Sequence, residues 1–170
     1  AIGANGVVLN SSDGVTWNSM NSGTNSIING VATNGSAYVA VGDSGTILSS
    51  NNGVSWASQP AGTANKLNSI TWSGTYYTYV TVGDGGTIAA SQDGATWASA
   101  TSGVVDNLRD VLWANGQLIA VGANGRILTS DDGAIWTTRT SGAVTQLESV
   151  VWNPTLSQYV VVGASGTVLV

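Results

Sequence analysis

Short apolar runs alternate with polar, glycine-bearing turns along the whole chain. In its middle, Leu67–Trp72, Tyr77–Val82, Thr87–Ala90 and Trp97–Ala100 read as four successive strands. Gly, Asn, Asp and Ser fill the turns between them. β-branched and aromatic residues occupy the apolar positions, and no stretch sustains a helical period. The pattern predicts short antiparallel strands throughout.

The same four-strand unit recurs. An apolar residue followed by Gly-x-x-Gly appears as Ile2–Gly6, Val41–Gly45, Val82–Gly86, Val121–Gly125 and Val162–Gly166, with first glycines 39, 41, 39 and 41 residues apart. The longer intervals add two residues to one hairpin, Ser73–Thr78 and Asn153–Gln158, so a pair of repeats is 80 residues throughout. A second motif occurs four times: Ser11–Trp17, Ser50–Trp56, Ser91–Trp97 and Ser130–Trp136. Four antiparallel strands in about 40 residues, repeated, predict an all-β fold of the β-propeller class. A β-solenoid has shorter coils, and a β-sandwich does not explain the period. The expected organisation is a single domain, 1–170. Its blades fall at about 27–60, 67–100 and 108–139, with a composite blade from 147–170 and 1–20. The third-strand segment occurs at both termini, as Gly3–Asn10 and Gly163–Val170. Four repeat equivalents could therefore close as four blades or five, or form part of a larger ring.

The Ser-x-Asp-Gly-x-Thr-Trp turn, complete in Ser91–Trp97, resembles the Asp-box, or BNR, repeat of sialidases, sortilin-type receptors, xyloglucan-cleaving hydrolases and photosystem II assembly factors. This version has one residue fewer between Asp and Trp. Asn52 replaces Asp in the second copy, and Ile135 replaces Thr in the fourth. The resemblance implies a structural turn between the third and fourth strands of each blade, away from any catalytic face. Asp13, Asn52, Asp93 and Asp132 would accept backbone N–H bonds. Gly14, Gly53, Gly94 and Gly133 would take positive φ. Trp17, Trp56, Trp97 and Trp136 would pack between blades. A sialidase also needs three converging arginines and a Tyr/Glu pair. Arg109, Arg126 and Arg139 fall at unrelated places in the repeat, and Glu148 is the one glutamate.

Composition narrows the function. Charged residues are 8% of the chain, about a third of the usual share. Net charge is −5, and Lys66, Arg109, Arg126 and Arg139 are the only cations. A broad phosphate-binding patch cannot be built from these, so neither nucleic acid nor an anionic membrane is an expected partner. No apolar run is long enough for a membrane span, and no basic start with an apolar core marks a leader. Cys and His are absent, which removes thiolate and imidazole chemistry. No catalytic residue, metal site or cofactor is expected. The hydroxyl- and amide-rich surface points to an extracellular or surface-associated protein.

The leading expectation is a non-enzymatic binding or assembly scaffold for a glycan or protein ligand. Trp72, Trp113 and Trp152, ending the first strands, with Tyr76 and Tyr77 in the long hairpin, are its candidate binding residues. A lectin is the specific version. One alternative is a fragment or relative of a secreted glycoside hydrolase, with its carboxylate pair drawn from Asp106, Asp110 and Glu148 near the entries of the first strands. The other is a purely structural repeat, natural or engineered. The unpaired terminal segments predict either assembly of copies or continuation of the ring.

Overall fold

The computed structural model describes all of residues 1–170. Seventeen strands form five antiparallel sheets in chain order. The first is a two-stranded sheet, β1 (Val8–Asn10) and β2 (Asn18–Met20). Three four-stranded sheets follow. They are β3 (Ile28–Thr33), β4 (Tyr38–Gly42), β5 (Ile47–Ser50) and β6 (Ala57–Gln59); then β7 (Leu67–Ser73), β8 (Thr78–Gly83), β9 (Ile88–Ser91) and β10 (Ala98–Ala100); then β11 (Leu108–Ala114), β12 (Gln117–Gly122), β13 (Ile127–Ser130) and β14 (Thr137–Arg139). A three-stranded sheet of β15 (Leu147–Asn153), β16 (Gln158–Gly163) and β17 (Val168–Leu169) ends the chain.

The core lies between sheets. One apolar layer joins β8 to β11, with Val80, Val82, Leu108, Val111 and Leu118 buried together. Equivalent layers join the first and second full sheets through Val39, Leu67 and Tyr79, and the third full sheet to the last through Ile119, Leu147 and Val161. The second strands of the three full sheets, β4, β8 and β12, are therefore covered on both faces. That is why β4, β8 and β12 read as continuous apolar runs rather than alternating ones.

Two local devices set the spacing. Each Gly-x-x-Gly stretch is a single 3₁₀ turn whose middle residue is left-handed, as at Ser44 (φ 56°) and Asn124 (φ 56°). Its last glycine abuts the loop leading to the next sheet: a Cβ on Gly86 would lie 2.1 Å from the Val104 carbonyl oxygen. Each first strand opens with a register shift, between Ile28 and Gly30, Leu67 and Ser69, Leu108 and Asp110, and Leu147 and Ser149.

The expected composite blade of 147–170 with 1–20 does not form within the chain. β15–β17 and β1–β2 stand as separate sheets at the two ends of the array. In the first sheet residues 1–2 bridge back to β1, Ile2 opposite Val8.

Candidate functional site

The antiparallel meander gives the array two unlike ends. Hairpins joining first to second strands, and the Ser-x-Asp/Asn-Gly turns joining third to fourth strands, lie at one end. The 3₁₀ turns and the loops between sheets lie at the other. All seven Trp fall at the first end, because each closes a first strand or opens a fourth. All four cations fall at the second: Lys66 precedes β7, Arg109 begins β11, Arg126 precedes β13 and Arg139 ends β14. The tryptophan end carries four side-chain carboxylates, Asp13, Asp93, Asp131 and Asp132, and no Lys or Arg.

The turns at that end are built alike. The Ser91 hydroxyl donates to Asp93 Oδ1 at 3.0 Å and accepts the Gly94 N–H at 2.9 Å. Asp93 Oδ1 also accepts the N–H groups of Ala95 and Thr96 at 2.8 and 2.7 Å. Asp13 and Asp132 accept from the equivalent groups. The Asn52 amide oxygen does so too, at 2.9 Å from Val54 and Ser55. Gly14, Gly53, Gly94 and Gly133 have φ of 73°, 69°, 71° and 80°. The N–H bonds, led by the one from Thr16 or Thr96, hold the Asp13 and Asp93 carboxyls at about 2; that from Ile135 lowers Asp132. These carboxylates are charged over the whole physiological range. Trp17, Trp97 and Trp136 donate their indole N–H back to Gly14, Gly94 and Gly133. Trp56 does not: its buried indole N–H has no partner. Trp136 is buried in the layer between the second and third full sheets, while Trp17 is 49% exposed.

The first-strand tryptophans are half-buried rather than displayed. Trp72 tilts against Tyr79 with centroids 4.6 Å apart, and Trp152 against Tyr159 at 4.4 Å. Trp113 packs at the edge of a core layer. The two-residue-longer hairpin carries Tyr76 from the second full sheet onto Trp113 of the third, edge to face at 5.7 Å and 83°. Tyr77 follows in a left-handed turn position (φ 49°), not within the second strand, and is 71% exposed. Of the five candidate binding residues, the fold thus brings Tyr76 and Trp113 together across two sheets, with Tyr77 next to Tyr76 in the chain. Trp72 and Trp152 each pair with a tyrosine of their own sheet.

The opposite end holds a polar network, in which the buried Arg109 Nε has no partner. Lys66 pairs with Asp43 at 3.3 Å, Arg109 with Asp84 at 3.5 Å and Arg126 with Asp106 at 2.6 Å. Asn29 bridges Asp43 to the Leu67 carbonyl of the next sheet, and Asn68 bridges Asp84 to the Leu108 carbonyl. The Asn29 amide is the main cause holding the Asp43 carboxyl below its ordinary value, and the Asn124 amide does the same for Asp106, ahead of Arg126. Asp110 has both oxygens engaged, by the hydroxyls of Ser69 and Ser149 and the N–H groups of Val111 and Val150. Reading the sequence residue by residue missed this cluster. Ser69, Asp110 and Ser149 occupy one repeat position, and that alignment is the signal that would have found it. No three His, Cys, Asp or Glu side chains gather as a metal site would require.

Comparison with solved structures places this architecture. YCF48 bound to D1 peptide superimposes with a TM-score of 0.75 at 17% identity, over 98% of this chain and 57% of that one. YCF48 from Cyanidioschyzon merolae superimposes with 0.72 at 16% identity, over 99% and 64%. The fold is a β-propeller. A chain of the nidogen/laminin complex also aligns, with a TM-score of 0.70 at 16% identity, over 96% of this chain and 68% of its own. The sheets described above are propeller blades, and the chain spans less than two thirds of either YCF48 chain. No protein-family model matches the sequence, and no curated protein does.

Proposed function

We propose that the chain is a non-enzymatic scaffold that binds a protein segment at its tryptophan end. The observation that carries this is the Tyr76–Trp113 contact. It bridges two blades, with the neighbouring Tyr77 exposed, on an end that has carboxylates and no Lys or Arg. Clustered aromatics on rigid hairpins are the residues that carry interface energy at low entropic cost. Persistent negative charge around them selects a partner segment that is basic as well as apolar, with Lys or Arg over the rings. Two structural neighbours support a polypeptide ligand: one YCF48 is bound to a D1 peptide, and the nidogen/laminin structure is a protein complex. On the same reading the four turns are Asp-box turns that set the blades, and the charge-poor surface is that of an extracellular or particle-surface protein.

A peptide array with graded Lys/Arg and aliphatic content tests it, followed by calorimetry on the best binder. Tyr76→Ala and Tyr77→Ala should each weaken binding by about 2 kcal/mol, roughly thirtyfold in Kd. Affinity should fall with added salt. Unchanged binding in both variants would sink the assignment. Saccharides also stack on aromatic rings, so a glycan ligand on the same three side chains is the second reading. Retention on a glycan array, with no peptide bound, would favour it.

A further inference from the structure

Asparagine followed by glycine is a chemically weak pair, because glycine puts no side chain between its own nitrogen and the asparagine amide. The chain has six: Asn5, Asn29, Asn34, Asn52, Asn115 and Asn124. Reaction turns the glycine nitrogen onto the asparagine Cγ. Whatever either group is bonded to must first be released, so hydrogen bonds decide which pair reacts.

Five of the six are held. Gly6 and Gly125 donate their N–H groups to the Ser26 and Thr145 carbonyls at 2.9 and 2.7 Å. The Asn124 amide also donates to Asp106 at 2.7 Å. The Asn29 amide is engaged by Asp43 and the Leu67 carbonyl. Asn34 Oδ1 accepts two N–H groups of its own turn, and the Gly35 N–H bonds Thr33 Oγ1 at 3.1 Å. Asn52 Oδ1 accepts two likewise, and the Gly53 N–H bonds Ser50 Oγ at 2.9 Å.

Asn115 differs from all of these. Ala114 pairs with Gln117, so Asn115 and Gly116 are the whole of a two-residue turn, left-handed at φ 51° and 78°. Both are exposed, and the Gly116 N–H has no acceptor within the chain. The Asn115 amide has one neighbour to bond, the Tyr159 hydroxyl, which itself donates to the Ala114 carbonyl. The equivalent hairpin of the first whole blade is looser but better bonded. There Thr33 pairs with Tyr38, and the four residues between them include the held Asn34.

We propose that Asn115 is a self-modification site, deamidating to aspartyl and isoaspartyl forms while the other five pairs persist. The Gly116 nitrogen gives its proton to solvent base and bonds to Asn115 Cγ. The Cγ–Nδ2 bond breaks, and the nitrogen leaves as ammonia with a proton from water. Water then opens the succinimide ring. Attack at Cγ restores the chain with a side-chain carboxylate. Attack at the backbone carbonyl leaves the chain running through Cγ, one backbone atom longer. Water is the only co-reactant. Either product places a fifth side-chain carboxylate on the tryptophan end, two positions from Trp113. The longer one also strains the Ala114–Gln117 pairing that closes the turn.

Incubation of the folded chain in mildly alkaline buffer, followed by peptide mapping with mass spectrometry, tests this. The peptide holding Asn115 should gain the mass of one amide-to-acid exchange and split into two chromatographic forms. Each hydrogen bond slows ring closure by roughly two- to tenfold, so this peptide should lead the other five by about fivefold or more. In urea the lead should vanish, because the six pairs then differ only in their flanking residues. Thr33→Val, at an exposed position, frees the Gly35 N–H and should speed reaction at Asn34 by roughly threefold while leaving Asn115 unchanged. Asn115 lagging any of the other five, or a lead that persists in urea, would overturn the proposal. So would an Asn34 rate that Thr33→Val does not move.

Discussion

The Ser69 hydroxyl donates to Asp110 Oδ1 at 2.8 Å, from one blade to the next. Ser149 donates to Oδ2 at 2.8 Å from the blade beyond. One carboxylate therefore ties three consecutive first strands, and the N–H groups of Val111 and Val150 complete its shell. Asp110→Ala leaves those donors without an acceptor in a half-buried place. An orphaned donor costs about 1–3 kcal/mol, and water recovers part of that here. The expected loss is about 2–3 kcal/mol, or roughly 5–10 °C for a domain of this size. Ser69→Ala and Ser149→Ala should each cost about 1 kcal/mol. Double-mutant cycles by chemical denaturation should show each serine coupled to Asp110, and the two serines additive once Asp110 is gone.

The turn carboxylates predict an acid-labile fold. Asp13 and Asp93 sit at about 2 when folded, against an ordinary 3.8, because backbone N–H groups favour the charged form. A carboxyl depressed by folding contributes stability above its unfolded value and gives it up as pH falls through its folded one. Melting temperature should hold above about pH 4 and drop between pH 4 and pH 2. Asp93→Asn should flatten that drop while costing little near neutrality, because Asn52 makes the same two backbone contacts with an amide oxygen. Asp93→Ala removes the acceptor altogether, and about 1–2 kcal/mol should be lost at all pH values above the transition, as for a lost cap. Thermal melts across that range for the three proteins separate the contributions.

The repeat period and the polar-Gly-x-x-Trp turn made the fold legible, because both are local: strand length, turn chemistry and spacing are written in adjacent residues. The aromatic candidates were legible only as a set. Nothing in the run Trp72 to Tyr77 shows that Tyr76 reaches Trp113 of the next blade while Trp72 turns to Tyr79, since that choice depends on hairpin geometry and blade packing. The Asp110 clasp shows only when the repeats are aligned, and the Asn29 and Asn68 bridges are hidden from local sequence for the same reason. Each joins residues about 40 apart that meet only when blades stack. The composite blade would join segments from the two limits of the array, which stand here as the separate sheets β1–β2 and β15–β17.

Gly86 and Gly103 offer a controlled comparison. Both hold left-handed φ, 69° and 74°. Alanine pays roughly 1 kcal/mol for that conformation at either place. At Gly103 the added methyl meets open space, and at Gly86 it would sit 2.1 Å from the Val104 carbonyl oxygen. Gly103→Ala should therefore lower stability by about 1 kcal/mol. Gly86→Ala must push the inter-blade loop away and should cost about 3 kcal/mol or more, by the overpacking penalty added to the strain. Equal losses in urea titrations of the two variants would mean that the loop yields freely and that the second glycine of each turn serves the turn alone.

The four turn tryptophans have one sequence role and unequal surroundings, so their removal should not be equal. Trp136 lies in a layer with Val80, Leu118 and Leu128 and bonds Gly133 at 3.0 Å. Truncating a buried tryptophan costs about 3–5 kcal/mol from lost burial and the cavity left behind. Trp136→Ala should fall in that range. Trp56 is packed beside Val8 and Ile28 but leaves its indole N–H unpaired. That orphan offsets part of its burial, so Trp56→Phe should be nearly neutral, whereas Trp136→Phe should lose about 1 kcal/mol with its hydrogen bond. Trp17 has half its surface in water and no blade behind it within the chain. For a single chain, Trp17→Ala should cost about 1 kcal/mol. A loss as large as that of Trp136 would require Trp17 to be covered in solution. Denaturation of the Trp17→Ala and Trp136→Ala variants at two protein concentrations distinguishes the cases, because cover supplied by another molecule makes the first loss concentration-dependent and leaves the second unchanged.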